Sequence, residues 1–294
     1  WAFAQSDFYL SLIALFFVDF LTGHINIKLI DIVSFLNPFS CASEDNLLLI
    51  KEFRFPRVAV SVLAGAALSV SGLLMQTMFR NPLAGPYVLG ISSGASLGVA
   101  VMVLGAGSLF ASGMYFFSSM AIVLAAALGS AVVMIIIVAV SFRINDMLSI
   151  LIIGILIAGI VGAIVSLLQY FAQDINVKSF VVWTMGSLSA VNSNDIKILS
   201  PIVFLLIIVS FLLAKFLNIL LLGDDFAKSM GVNIKFVRIL VFTVVSILAG
   251  AVTAFCGPLG FIGVAVHHVA RWIFKSSNHF ILIPACVIIG AGFM

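Results

Sequence analysis

Long apolar stretches, each closed by a short polar or glycine–proline break, recur along the whole chain. Phe8–Leu21 with its flanks forms the first. Residues 25–53 follow as a polar, amphipathic connection, in which Ile27, Ile30, Ile32, Val33 and Leu36 suggest a helix lying on a membrane surface. Arg57–Met78 and Tyr87–Leu104 come next, each long enough to cross a bilayer core. Phe116–Phe142 is a fourth span, Leu148–Tyr170 a fifth and Ile196–Leu213 a sixth, with a less apolar stretch over 171–193. After a polar interruption, Ile239–Phe255 makes a seventh. An eighth is short and broken at its start by Gly257-Pro258 and Gly260, and Phe280 opens a ninth. The pattern predicts an all-α, polytopic membrane protein whose 294 residues form a single transmembrane domain.

Three of these spans carry small residues at helical spacing: Gly65, Ser69 and Gly72; Gly90, Gly94 and Gly98; Gly154, Ala158 and Gly162. In lipid, helix association is driven by packing, and such rows let backbones approach closely. All three rows are therefore expected to face neighbouring helices. A short polar turn, Phe79-Arg80-Asn81-Pro82-Leu83-Ala84-Gly85-Pro86, joins the first two of them.

Composition sharpens the class. The chain is 63% hydrophobic and 9% charged with mean hydropathy +1.32, which excludes a soluble globule. A net charge of +3, spread along the chain, gives no sign of nucleic acid as a partner. Cys41, Cys256 and Cys286 lie far apart without CxxC spacing and read as isolated thiols, with no metal site. Asp19 stands inside the first span or near its end; an ionisable group at membrane depth needs a partner. The Lys/Arg bias places the N-terminus inside, with Arg80, Arg143, Lys215, Lys228, Lys235, Arg238, Arg271 and Lys275 on inner loops. Without an initiator Met, and stopping in an apolar run, the chain reads as incomplete at both ends.

The run GAALSVSGLLMQTMFRNPLAGPYVLGISSGASLG closely resembles the signature of the FecCD-type permeases, and the resemblance continues through nearly the whole chain. These are membrane subunits of ABC importers for iron–siderophore complexes, haem and vitamin B12. The resemblance implies about ten helices, the last missing here, in the inner membrane of a bacterial cell. It also implies a second permease subunit as a homodimer, a pair of cytoplasmic ATPases that bind the ATP, and an extracytoplasmic binding protein. This chain would bind no cofactor itself. VKSFVVWTMGSLSAV resembles the family's short helix outside the membrane.

No GxxxxGK[ST] loop and no catalytic constellation stands among the spans, so the work must come from a partner. In Gly223–Gly231, Gly223 can break the preceding helix, Asp224 or Asp225 can cap a short new one, and Gly231 can end it. This is a solvated loop or, as the resemblance implies, the ATPase coupling loop, with Asp225, Ala227 and Gly231 loosely matching an EAAxxxG pattern. Arg54 and Arg57 flank Phe55-Pro56 at the outer mouth of the second span. They either snorkel to headgroups or, by the resemblance, dock carboxylates of the binding protein through bidentate pairing. Asn81-Pro82-Leu83 is a proline-enforced turn, and the resemblance adds a cytoplasmic gate in which Asn81 and Leu83 narrow the pathway. A second constriction would fall near Asn145–Leu148, without the family's usual small hydroxyl residues. His267 and His268, adjacent on a helix, point about 100° apart, which favours a structural role over a shared ion. The family pattern has Pro-His there, so His267 departs from it. Gln169 and Tyr170 are placed to line the pathway. The rival readings are an ion-coupled secondary transporter, which would need ionisable residues and broken helices at the midplane, and an intramembrane enzyme. Siderophore, haem and cobalamin are not separated by the sequence.

Overall fold

The computed structural model describes residues 48, 50–105, 119–144 and 146–294. The first span with Asp19, most of the 25–53 connection, Cys41 and Asn145 lie outside the described residues. Ten α-helices occur among the described residues: α1 Phe55–Phe79, α2 Ile91–Ala100, α3 Ser119–Arg143, α4 Met147–Phe171, α5 Asp174–Thr184, α6 Ser193–Leu220, α7 Asp224–Ser229, α8 Ile234–Cys256, α9 Ile262–Phe274 and α10 His279–Phe293. With the π-helical turn Ile50–Arg54 that leads into α1, five helices are long and apolar enough to cross a membrane.

α1 is the axis of the bundle. Pro56 suits its first turn, where a missing N–H costs no hydrogen bond, and Arg80 in the left-handed conformation ends it. Of the most apolar window of this span 89% is buried inside the chain, against 22% for α4 and for α6. A helix apolar on every side belongs in such a centre. α6, α8, α9 and α10 pack around it. The close approaches use the predicted small residues. A Cβ on Gly65 would lie 2.0 Å from the Gly290 carbonyl oxygen, and one on Gly72 only 1.6 Å from that of Gly263. Between them the Ser69 hydroxyl donates to the Cys286 carbonyl at 2.6 Å. α2 approaches α3 in the same way, at Gly94 and Gly98 against Gly129 and Ala125.

Gly90 also approaches α4 closely, where a Cβ would lie 3.2 Å from the Gly154 carbonyl oxygen, and it has a second role. The stretch expected as one span from Tyr87 is broken: Pro86–Leu89 is a 3-10 turn, and Gly90 takes a positive φ of 76° ahead of α2. Pro86 lacks the N–H that a longer helix would use and fixes the turn that precedes it. The third row is also only partly packed. Gly154 meets the Val88 carbonyl, whereas a Cβ on Gly162 would touch nothing within 4 Å. The row thus meets a neighbour where it passes the 3-10 turn, and beyond that point α4 presents Ile155, Leu156, Ile160, Ile164 and Leu167 outward. α6 and α8 extend past their predicted ends, starting at Ser193 and Ile234. Side-chain caps explain both starts: a capping box joins Asn192 and Asp195, and Asn233 accepts from the Phe236 amide.

On the side that the Lys/Arg bias marks as inner, the ends of α1, α6 and α10 are tied by a polar network. Asn218 Oδ1 accepts from the His279 backbone N–H and meets its ring Nδ1, both at 2.8 Å, while Asn218 Nδ2 donates to Asn278. His279 Nε2 reaches the Thr77 hydroxyl at 2.8 Å. Nδ1 therefore carries the ring proton when the imidazole is neutral, and the single Thr77 hydroxyl proton is shared between Nε2 and the Leu73 carbonyl, 2.9 Å away. Asn218→Leu strands two buried N–H groups of His279, a loss of about 1–3 kcal/mol. A lower melting midpoint in detergent should report it, and an unchanged midpoint would show that the network holds nothing together.

Candidate functional site

The segment that leaves α1 turns back into the bundle. Arg80 lies at the inner end, but Pro86 already touches Gly263 beside Gly72, and the Tyr87 hydroxyl stands 3.4 Å from Thr253 near the outer end of α8. Non-helical backbone at this depth is tolerated only inside protein, and Ala84, Gly85, Pro86, Leu89 and Gly90 are buried accordingly. α9 is the counterpart from the other side. It starts at Phe261, an exposed non-glycine residue at φ 74°, and ends at Lys275 in the left-handed conformation.

The turn at the inner end is held from several directions. Asn81 Oδ1 accepts from the Leu83 N–H at 2.9 Å, and Asn81 O accepts from the Ala84 N–H at 3.1 Å. The Pro82 carbonyl accepts from Gln76 Nε2 of α1 and lies 3.0 Å from His268 Nε2 of α9. Leu83 stands outward at the tip, 74% exposed. His268 thus supports the turn while His267 is buried, and their ring centroids are 4.1 Å apart.

α7 hangs at the same end between two glycines. Gly223 holds the N-cap position at φ 116° and ψ 155°, a region that is essentially glycine-only, and Gly231 sits at φ 77°. A Cβ on either would meet no atom within 4 Å, so conformation and not space demands glycine there. Gly223 therefore occupies the cap that Asp224 or Asp225 was expected to fill, and neither acid caps with its side chain. Asp224 pairs instead with Arg80, and Asp225 with Lys228 at 3.3 Å. Acids in the first turn and Lys228 in the last match the helix dipole. Ala227 is buried, whereas Leu222, Phe226 and Met230, spaced by four, are 65%, 46% and 56% exposed. Beneath Arg80 a cleft of about 200 Å³ is lined by Thr77, Asp146, Asp224 and Arg238. The Ser149 hydroxyl and amide hold the Asp146 carboxyl below the usual carboxylate range.

At the opposite end, Arg54 stands half-buried at the N-cap position of α1 and Arg57 is exposed one turn on, with Pro56 buried between them. The Ser193 hydroxyl, 3.4 Å from the Lys51 carbonyl, marks this as the end where α6 begins. The sequence carried no signal for the Arg80–Asp224 pair or for His268 on Pro82 O, because the partners lie 144 and 186 residues apart along the chain.

The comparisons with known proteins agree with this architecture. The model of the FecCD transport family matches residues 11–294. An ABC transporter permease protein of Methanocaldococcus jannaschii is 32% identical over 286 residues, covering 96% of this chain and 80% of the relative. The hemin transport system permease HmuU of Yersinia pestis is 36% identical, over 81% of this chain and 70% of its own. The vitamin B12 import permease BtuC of Vibrio cholerae is 31% identical, over 87% and 75%. A solved metal-chelate type ABC transporter in an inward-facing conformation shares the fold, with a TM-score of 0.84 at 24% identity over 98% of this chain and 88% of that one. With its all-α, multi-pass membrane fold, the chain belongs to the FecCD transport family.

Proposed function

We propose that this chain is the permease subunit of an ABC importer that moves an iron chelate, or a related metal chelate such as haem or cobalamin, across the cell membrane. The observation that carries the reading is α7, a short helix between two glycine joints that exposes Phe226, with Met230 exposed at its end, and is tied through Arg80 to the turn at Asn81–Leu83. In this reading a separate ATPase pair seats on α7, and its closure on ATP displaces the helix. Asn81 and Leu83 form the inner gate, and Arg54 and Arg57 receive the loaded binding protein outside. The exposed apolar face of α4 supports a second copy of this chain as the partner across the pathway. Hemin, iron chelatin, Fe(3+)-citrate and vitamin B12 are the cargoes in relatives' names, and they support a large metal-bearing substrate.

The test is reconstitution of the permease with its ATPase and binding protein in liposomes, followed by ATP-dependent uptake of haemin, ferric citrate, a ferric siderophore and cyanocobalamin. Uptake of one of them that needs all three components is expected; uptake driven by an ion gradient without ATP would overturn the reading. Charge reversal of Arg54 and Arg57 to Glu should abolish uptake while leaving insertion intact. Unchanged uptake at physiological salt would remove the docking role.

A further inference from the structure

We propose that the Arg80–Asp224 pair is the strut through which displacement of α7 reaches the gate turn, so that Arg80 is a positioning residue for the gate. This rests on the coupling role of α7 and adds the atoms that transmit it.

Arg80 is the single residue between α1 and Asn81, and its backbone is left-handed at φ 48° and ψ 32°. Residues with a Cβ disfavour that conformation, and helices ending this way usually place glycine or asparagine there. Here the position holds an arginine whose Nη2 donates both to the Asp224 carboxylate and, at 3.3 Å, to the Leu220 carbonyl. Leu220 is the last residue of α6 and Asp224 the first of α7. One guanidinium therefore spans the joint at Leu221–Gly223. Among the described residues it makes the ion pair that connects α7 to another element.

The turn that follows is braced as a unit. Its own bonds from Leu83 and Ala84 to Asn81 close it, and Pro82 O anchors it to Gln76 and His268. Pulling its first residue toward or away from α6 therefore rotates Leu83 about the Pro82 anchor. The pair is 53% and 46% exposed, a setting in which an ion pair adds little to stability. Such a pair can break and re-form within a transport cycle.

The test uses the complete transporter in liposomes with haemin and ferric citrate as probes. Arg80→Gly suits the left-handed backbone and removes only the side chain; Asp224→Asn removes the charge on the other side. Each should keep ATPase association and the melting midpoint. Each should lower uptake per ATP hydrolysed by up to about fivefold, the range open to an exposed ion pair. The double variant should be no worse than either single one, and Arg80→Lys should retain most of the wild-type value. Wild-type uptake per ATP in Arg80→Gly, or losses that multiply in the double variant, would overturn the strut. If Arg80→Gly does not assemble, Asp224→Asn against Arg80→Lys decides alone. Ala227→Pro separates the two levels: if it too is normal, the coupling role of α7 has failed, whereas a defect there beside a normal Arg80→Gly removes the strut only.

Discussion

Gly72→Val is expected to prevent the bundle from assembling. The new Cβ would stand 1.6 Å from the Gly263 carbonyl oxygen and 2.5 Å from its carbon, both backbone atoms of α9. Neither helix can give way cheaply, because α1 is buried on every side by α6, α8 and α10 as well. Overpacking usually costs about 1–3 kcal/mol. This site should lie at or above the upper end, since helix backbones and not side chains must separate. Gly162→Val in α4 is the control: nothing lies within 4 Å of its Cβ, and its effect should stay within about 0.5 kcal/mol. Yield of monodisperse protein and melting midpoint in detergent report the difference. Equal behaviour of the two variants would show that α1 and α9 do not meet at this point.

Ala227→Pro should disconnect ATP hydrolysis from transport while sparing the transmembrane bundle. The Ala227 N–H donates to the Gly223 carbonyl at 3.0 Å and so closes the first turn of α7. Proline removes that donor and drives its ring against the same carbonyl, a cost of ~3 kcal/mol or more in a helix interior. A helix of only six residues has little else to absorb the loss, so exposed Phe226 and Met230 would be displaced. Insertion and docking of the binding protein outside should be normal. ATPase pull-down should weaken, or hydrolysis should cease to respond to the loaded binding protein. Normal association and normal uptake would reduce α7 to a connector.

The spans were legible because lipid imposes a long apolar pattern that survives any tertiary arrangement; α1, α3, α4, α6 and α8 all lie where the hydropathy put them. Their ends were less so, since Asn192 and Asn233 extend helices through caps that hydropathy does not register. The small residues showed where backbones could approach but not whether they would. Gly72 and Gly162 look alike in the sequence, and only the first has a neighbour. Gly90 belongs to a regular i, i+4 row and yet breaks the chain, because Pro86 four residues earlier decides the local geometry. At the site, Gly223 and Gly231 announced a short helix correctly, whereas neither acid caps it: Asp224 serves an arginine 144 residues away and Asp225 pairs with Lys228.

The central place of α1 has a consequence for biogenesis. α1 leaves the ribosome early, whereas the carbonyl that its Ser69 hydroxyl binds belongs to Cys286, 217 residues later. At ordinary synthesis rates of about 5–20 residues per second, that gap lasts roughly 10–40 s. Throughout it the glycine faces at Gly65 and Gly72 have no partner helix, and the re-entrant backbone around Pro86 lacks the α9 wall against which it lies. Lipid cannot satisfy those groups. Nascent chains of this protein should therefore depend on an insertase or a holding chaperone for α1 and the segment after it. Ribosome-stalled fragments ending before residue 257 should be cleared by membrane proteases far faster than fragments carrying α9 and α10.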